Sequence, residues 1–138
     1  MMKPRVRTIC LTLLVLAFLA GCVTTPREIP AGLSVGELFQ RAQEAVDAKD
    51  LDLAVRYYTL AKETYPDDVT HFVWASYEIS FLYHKQDKNA EALALVNTLL
   101  DTYAGKWDTM PADTAAPRIL SEKLKARLET LAASAVSH

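Results

Sequence analysis

The sequence predicts an all-α protein of five helices, and three observations support this prediction. After residue 33, apolar residues recur at spacings of three and four, the period of helices that bury one face. The stretch Tyr77–Leu100 reads as two such helices joined by a polar corner at Lys85–Asn89. Cap signals also mark where helices begin, as with Ser34 followed by Glu37 three residues later, which form a capping box.

The first two helices are predicted over residues 35–49 and 51–65. Leu33 and Leu38 flank the start of the first one at the spacing of a hydrophobic staple. Pro66 disfavours helical backbone at the residue before it, so the second helix is expected to end there. These two helices therefore form a hairpin with its corner at the end of the first range.

The third and fourth helices flank the polar corner. Asp67 and Asp68 supply an N-cap for the third helix, and Asn89 is predicted as the N-cap of the fourth. The third helix has apolar residues on more than one side, which is typical of an inner helix that is covered on several sides. We expect the fourth helix to finish near Tyr103 and residues 105–116 to form a loop.

A single apolar stripe characterises the last helix, which begins near Ala115 or Pro117 and is predicted to run to residue 134. Its other faces are charged, as expected of a terminal helix that covers the end of a helical stack. Alternatively, the stripe dimerises the protein. Residues 135–138 are expected to fray. The members of the stripe are Leu120, Leu124, Leu128 and Leu131.

Residues 34–104 contain an internal repeat. The two hairpins resemble the tetratricopeptide (TPR) family, whose unit is a helix–turn–helix of about 34 residues. The resemblance implies two TPR-like helix-turn-helix repeats plus a C-terminal capping helix. The matching residues of the first copy are Leu38, Ala42, Ala45, Ala54, Tyr58, Ala61 and Pro66. Those of the second copy are Ile79, Ser80, Tyr83, Ala92, Val96 and Leu99.

The two copies depart from the family pattern in two respects. Ala54 and Ala92 are 38 positions apart, which implies an insertion between the copies. Ala104 stands where the second copy would have its closing proline. The alternative is an ordinary antiparallel helical bundle in which the alanines match the repeat spacing by chance.

Residues 1–21 have the features of an export signal. Lys3, Arg5 and Arg7 give a positive start, and an apolar run follows from Ile9 to Ala20. Such an arrangement defines a signal peptide, and the run is shorter than the about 20 residues that a membrane span needs. A plain transmembrane anchor is the alternative.

The tetrad Leu19–Cys22 resembles the lipobox of bacterial lipoproteins. The resemblance implies a diacylglycerol on the Cys22 thiol, cleavage before this residue, and acylation of the new amino group, with palmitate as the expected fatty acid. Two or more acyl chains anchor a protein stably to a bilayer. Residues 22–33, rich in proline, are then a lipidated tether. Val23 stands where many Gram-negative lipoproteins have the aspartate that retains them in the inner membrane, so the resemblance implies the outer membrane, facing the periplasm, in such a cell.

Charge and cysteine content narrow the function classes. Cys10 would leave with the signal and Cys22 would carry lipid, so neither of the 2 cysteines remains for a disulfide or a metal. The net charge of −2 becomes more negative once the basic start is removed, which argues against nucleic acid as a partner. No catalytic group, metal site or cofactor site is predicted, and His71 beside two aspartates is more simply part of a helix cap.

A row of side chains on the third helix is the predicted partner-binding site. Trp74, Tyr77, Phe81 and His84 are spaced three, four and three apart and so share one face, and Phe39 lies one repeat earlier. In the family that the chain resembles, the first helix of each repeat lines a concave surface that holds peptides. Aromatic side chains are frequent anchors at such surfaces. The alternative is that these rings form the core beneath the last helix.

Together these features predict a non-catalytic, membrane-anchored protein–protein interaction or scaffold module of the bacterial cell envelope. Its partners would be the lipid bilayer, through acylated Cys22, and a segment of an envelope protein. An accessory lipoprotein of a transport system that binds a small apolar ligand is the alternative. A cell-wall hydrolase would need an acid and a base that the sequence does not place. The oligomeric state stays open.

Overall fold

The computed structural model describes residues 28–104 and 109–136. The predicted signal peptide, the lipidation site Cys22 and most of the tether lie outside the described residues. Five α-helices and a short 3₁₀ helix, with no strand, make up the described part of the chain, which confirms the all-α prediction. The helices are α1 (Val35–Asp47), α2 (Leu51–Thr64), α3 (Val69–Lys85), α4 (Asn89–Tyr103) and α5 (Ala115–Val136), and the 3₁₀ helix is Ala112–Thr114.

Each helix packs against the next one along the chain, and α3 also contacts α5. Three helices therefore surround α3, which agrees with its prediction as an inner helix. Its buried residues include the small side chains Ala75, Ser76 and Ser80 among the larger Val73, Ile79 and Leu82. Small residues allow neighbouring helices to approach closely.

The start of α1 has the predicted capping box. The Glu37 backbone N–H donates to the Ser34 hydroxyl at 3.3 Å, and the Ser34 N–H donates to the Glu37 carboxylate at 2.8 Å. Hydrogen bonds from Ser34 hold the pKa of Glu37 below its usual value. The Tyr65 hydroxyl donates to the Leu33 carbonyl at 2.8 Å, so the segment before α1 is tied to the end of α2.

The α1–α2 corner and the α3–α4 corner share one backbone conformation. Lys49 in the first corner and Asp87 in the second have φ values of 61° and 60°, the left-handed region in which non-glycine residues are uncommon. In both corners the next residue donates its N–H to the carbonyl five residues earlier, at 2.9 Å. This is the bond of a Schellman motif, which closes the C-terminus of a helix.

Alanines lie at the closest contacts of both hairpins. Ala42 and Ala54 of the first hairpin and Ala92 of the second are 0% exposed. Around Ala54, the largest group of buried apolar residues joins α1, α2 and α3. Around Ala92, a second group joins α4 to Leu124 and Leu128 of α5. The two groups lie on different sides of α3, and the half-buried Tyr83 of this helix packs against both.

The prediction that Asn89 caps α4 is wrong. Asn89 is the first helical residue, and Lys88, which makes no side-chain capping bond, occupies the N-cap position. The Asn89 Oδ1 atom lies 2.7 Å from the His84 Nδ1 atom, so this side chain bonds back to the end of α3. At α3 the capping prediction is confirmed, since the Asp68 side chain accepts the His71 backbone N–H at 3.1 Å.

The last helix is longer than the predicted range 117–134. It begins at Ala115, the earlier of the two expected starts, and continues to Val136. The predicted loop is shortened correspondingly, and the Tyr103 hydroxyl fastens the end of α4 to the Thr114 carbonyl at 2.9 Å. Leu131, at 40% exposed, lies outside the core because residues 129–135 have no covering element among the described residues.

No helix within residues 28–104 and 109–136 combines the length and the apolar character that crossing a bilayer requires.

The contact at Ala92 gives a test of the close packing between helices. Replacement Ala92→Leu inserts three carbons into a site with no free space, so we expect the free energy of unfolding to fall by about 1–3 kcal/mol. Ala94→Leu, on the exposed side of the same helix, is the matched control and should change stability by less than about 0.5 kcal/mol. Urea unfolding of the full chain in detergent measures both. Equal stabilities for the two variants would show that α4 is not packed as described.

Candidate functional site

Three of the five predicted site residues form a continuous aromatic row on α3, made of Trp74, Tyr77 and Phe81. The Trp74 and Tyr77 ring centroids are 6.3 Å apart with an edge-to-face angle of 78°. The Tyr77 and Phe81 rings are stacked, with centroids 6.1 Å apart and an interplanar angle of 16°. The spacing of these residues in the sequence therefore correctly predicted that their rings lie together.

The row is divided between the core and the surface. Tyr77 and Phe81 are half-buried and pack against the group that contains Leu124 and Leu128 of α5. Burial raises the pKa of the Tyr77 hydroxyl. These two rings thus hold α5 against α3, whereas Trp74 is half-buried with Tyr77 as its ring contact and belongs to none of the buried groups.

The other two predicted site residues lie away from this row. The His84 ring bonds to the Asn89 side chain at the corner between α3 and α4. Phe39 on α1 makes edge-to-face contacts with His71, at 5.0 Å between ring centroids, and with Tyr58, at 5.1 Å. Phe39 therefore connects α1 to α2 and to the first turn of α3.

A second stripe on α3, which the sequence reading did not single out, faces this region of α1. His71, Trp74 and Glu78 are spaced three and four apart, so they lie on one side of the helix, and all three are half-exposed. We call the surface that they form with the adjoining side chains of α1 and α2 the α1–α3 face. Its members are Phe39, Gln43, His71, Trp74 and Glu78, and Tyr58 is buried beneath them.

Glu78 is the charged residue at the centre of the α1–α3 face. Burial raises its pKa, and the positive charge of Lys85 opposes this shift only in part. Among the described residues, the Glu78 carboxylate takes part in no hydrogen bond and no ion pair. The Lys85 ammonium lies instead over the Phe81 ring, 5.5 Å from its centroid. A half-buried carboxylate without a partner is unusual, and such groups concentrate at functional sites.

Tyr58 places a hydroxyl beside this carboxylate. Its ring is fully buried, and the hydroxyl accepts a hydrogen bond from Gln43 Nε2. Burial, together with the negative charge of Glu78, raises the pKa of Tyr58, so the hydroxyl keeps its proton at neutral pH. The α1–α3 face therefore combines the half-exposed rings of Phe39 and Trp74 with a carboxylate, and the Tyr58 hydroxyl is buried beneath it.

This combination of groups is suited to binding. His71 is occupied by a 2.7 Å contact between its Nδ1 atom and the Asp68 carboxylate. No three His, Cys, Asp or Glu side chains converge to hold a metal within the described ranges. A carboxylate beside aromatic rings can accept a cation or hydrogen-bond donors, and neighbouring rings can accept apolar groups.

The clearest surface depressions lie elsewhere. One of about 440 Å³ lies between the segment before α1 and the outer side of α2, lined by Ile29, Val55, Leu60 and Glu63 among others. Another, of about 480 Å³, lies at the α1–α2 hairpin and is lined by Arg41, Asp50 and Tyr57 among others. Neither includes a residue of the α1–α3 face or of the aromatic row.

Comparison with known proteins gives one informative relative. The chain is 31% identical over 116 residues to an uncharacterized protein of Treponema pallidum (strain Nichols). The match covers 81% of this chain but 45% of the relative, so the chain spans less than half of that protein's length. No protein-family model matches the chain, and no solved structure matches it either.

The unpaired Glu78 carboxylate predicts that removing its charge increases the stability of the fold, and that the increase depends on pH. Because the folded-state pKa is raised above 4.5, Glu78 lowers stability as pH rises from about 4.5 through the raised value. We expect Glu78→Gln to increase the free energy of unfolding relative to wild type at pH 7, by more than it does at pH 4. Thermal unfolding at both pH values measures the difference.

Glu63→Gln is the matched control, since this carboxylate is exposed on α2. Its effect should remain within about 0.5 kcal/mol at both pH values, as is usual for surface changes. A Glu78→Gln variant that is less stable than wild type at pH 7 would show that the carboxylate has a stabilising partner.

Proposed function

We propose that this protein is a non-catalytic interaction module of a bacterial cell envelope. It is held at the membrane by acylated Cys22, and it binds a segment of a partner protein on the α1–α3 face. The observation that supports binding most directly is the half-exposed Trp74 beside the unpaired Glu78. The Trp74 indole N–H makes no hydrogen bond within the described residues and is not buried, so a partner can reach it.

The proposal includes a TPR-like arrangement of the two hairpins. Three features support it: the matching left-handed corners at Lys49 and Asp87, the fully buried alanines at the helix contacts, and the order in which the helices pack. In this arrangement α1 and α3 are the first helices of successive repeats. The α1–α3 face is then the side on which the repeats present side chains to a partner.

A protein segment is the proposed ligand because of how the site residues are exposed. Tyr77 and Phe81 pack against the buried group that includes Leu124 and Leu128 of α5, whereas the half-exposed Trp74 and Phe39 lie outside that group. These groups belong to two separate helices and are each half-exposed. A short helix or extended segment lying across both helices contacts them together, as in other helical grooves.

Membrane attachment is proposed from the lipobox-like tetrad that ends at Cys22. A domain fixed to a bilayer through a short tether meets membrane partners at a high effective concentration. A modest face of two rings and one carboxylate is then sufficient for a useful interaction. In a Gram-negative cell, Val23 favours the outer membrane with the domain facing the periplasm.

The lipid anchor is tested by replacing one cysteine at a time. We expect Cys22→Ser to remain as the uncleaved precursor and to incorporate no alkyne-labelled palmitate, because lipid addition and cleavage both depend on this thiol. Cys10→Ser, within the apolar run that precedes the tetrad, is the control and should be cleaved and labelled like wild type. Gel mobility and in-gel fluorescence measure both. Normal labelling of the Cys22→Ser variant would refute the anchor.

The binding role is tested by photo-cross-linking in cells that make the full chain, with a photoreactive residue at exposed Gln40 on α1. We expect a discrete cross-linked protein that disappears on Trp74→Ala, because the indole supplies much of the accessible apolar area. The control is Ile119→Ala, which truncates a 50% exposed side chain on α5. Loss of the cross-link in both variants, or in neither, would contradict binding at this face. Tyr77→Ala is a poorer probe because it also removes core packing.

A further inference from the structure

We infer that the segment bound on the α1–α3 face presents a lysine or arginine side chain, whose cation pairs with the Glu78 carboxylate while its aliphatic stem lies on Trp74. This inference rests on the proposed binding function and specifies the chemistry of the partner. It concerns the accessible stripe on α3 rather than the rings that are held under α5.

The carboxylate is the first element of the argument. Glu78 is half-buried. Burial and the negative charge of Glu78 together raise the pKa of the Tyr58 and Tyr77 hydroxyls. A charge removed from water without a partner lowers stability, and a glutamine of nearly the same shape would avoid that cost. None of the ion pairs or hydrogen bonds of the described residues includes Glu78, and only the charge of Lys85 opposes the effect of burial, in part. A cation supplied from outside the chain would provide the missing partner.

The nearest cation of the chain itself does not fill this role. Lys85 follows Glu78 by two helical turns and acts on it electrostatically. Its ammonium, however, rests 5.5 Å from the Phe81 centroid and forms no ion pair with the carboxylate. Lys85 therefore leaves the Glu78 carboxylate available to a cation from a partner.

The rings of this protein show the geometry that such a cation would adopt. The ammonium groups of Lys62 and Lys88 lie 4.9 Å and 5.4 Å from the Phe72 and Tyr83 centroids, respectively. Tryptophan is the best of the aromatic side chains for this interaction. Trp74 precedes Glu78 by one helical turn, so a side chain laid along α3 reaches both. Lysine and arginine have the apolar stem and charged end that this sequence of contacts needs.

Phe39 extends the site towards α1. It is half-exposed next to His71, and it offers an apolar contact to a residue adjoining the cation in the bound segment. The expected recognition element is therefore a basic residue next to an apolar one. The net negative charge of the chain favours the approach of such a segment and disfavours an anionic one.

The test is a selection of short random peptides displayed on phage against the full chain, purified in detergent. We expect the peptides selected by wild type to share a lysine or arginine at one fixed position beside an apolar residue. A synthetic peptide of that sequence should bind Glu78→Gln roughly tenfold or more weakly, as for loss of a charge-assisted contact. A selection on Glu78→Lys should enrich acidic residues at the same position.

Glu63→Gln is the control and should select the same basic motif as wild type. The inference is overturned, while the binding function stands, if wild type selects peptides without a fixed cation or if Glu78→Gln binds the basic peptide as tightly. It is also overturned if free arginine amide binds as tightly as the peptide, which would indicate a small-molecule site. If wild type enriches no peptide over the Trp74→Ala variant, the proposed binding function itself fails.

Discussion

The packing of α3 against α2, α4 and α5 is the interaction on which the rest of the structure depends. Close contact on three sides requires small side chains, and α3 supplies Ala75, Ser76 and Ser80 as buried residues. The two serine hydroxyls donate to carbonyls four residues earlier, at 2.7 Å and 2.8 Å, so they are buried without an unsatisfied donor. An all-apolar inner helix of larger residues would hold its neighbours farther apart.

The same packing decides what α3 can offer to a partner. Tyr77 and Phe81 pack against the buried group that includes α5 residues, and the stripe that includes Trp74 and Glu78 lies on the neighbouring side of the helix. Glu78 opposes stability, because its charge is half-buried and unpaired. Residues that reduce stability without an internal compensation are most often explained by function. The proposed site therefore lies on the side of α3 next to the residues that are used for packing.

Helix ends and corners were accessible to sequence reasoning because they depend on residues close together along the chain. The Ser34–Glu37 box and the Asp68 cap are bonds across three residues, and both were predicted correctly. Asn89 is not the cap, since α4 already includes this residue and its side chain bonds to His84, five residues earlier across the corner. A local sequence pattern indicates which hydrogen-bond partners a side chain could have, and the folded structure determines which of them it contacts.

The sequence by itself determined that the described chain is helical, where most helices begin, and that Trp74, Tyr77 and Phe81 lie together. These properties follow from short-range hydrogen bonding and helical periodicity. Only the tertiary structure decided which of those rings support α5, that Phe39 meets His71 instead of the row, and that Glu78 lacks a partner. The reason is that burial depends on the rotation of α3 relative to α1 and α5. That rotation is set by contacts between residues far apart in sequence, which no local pattern encodes.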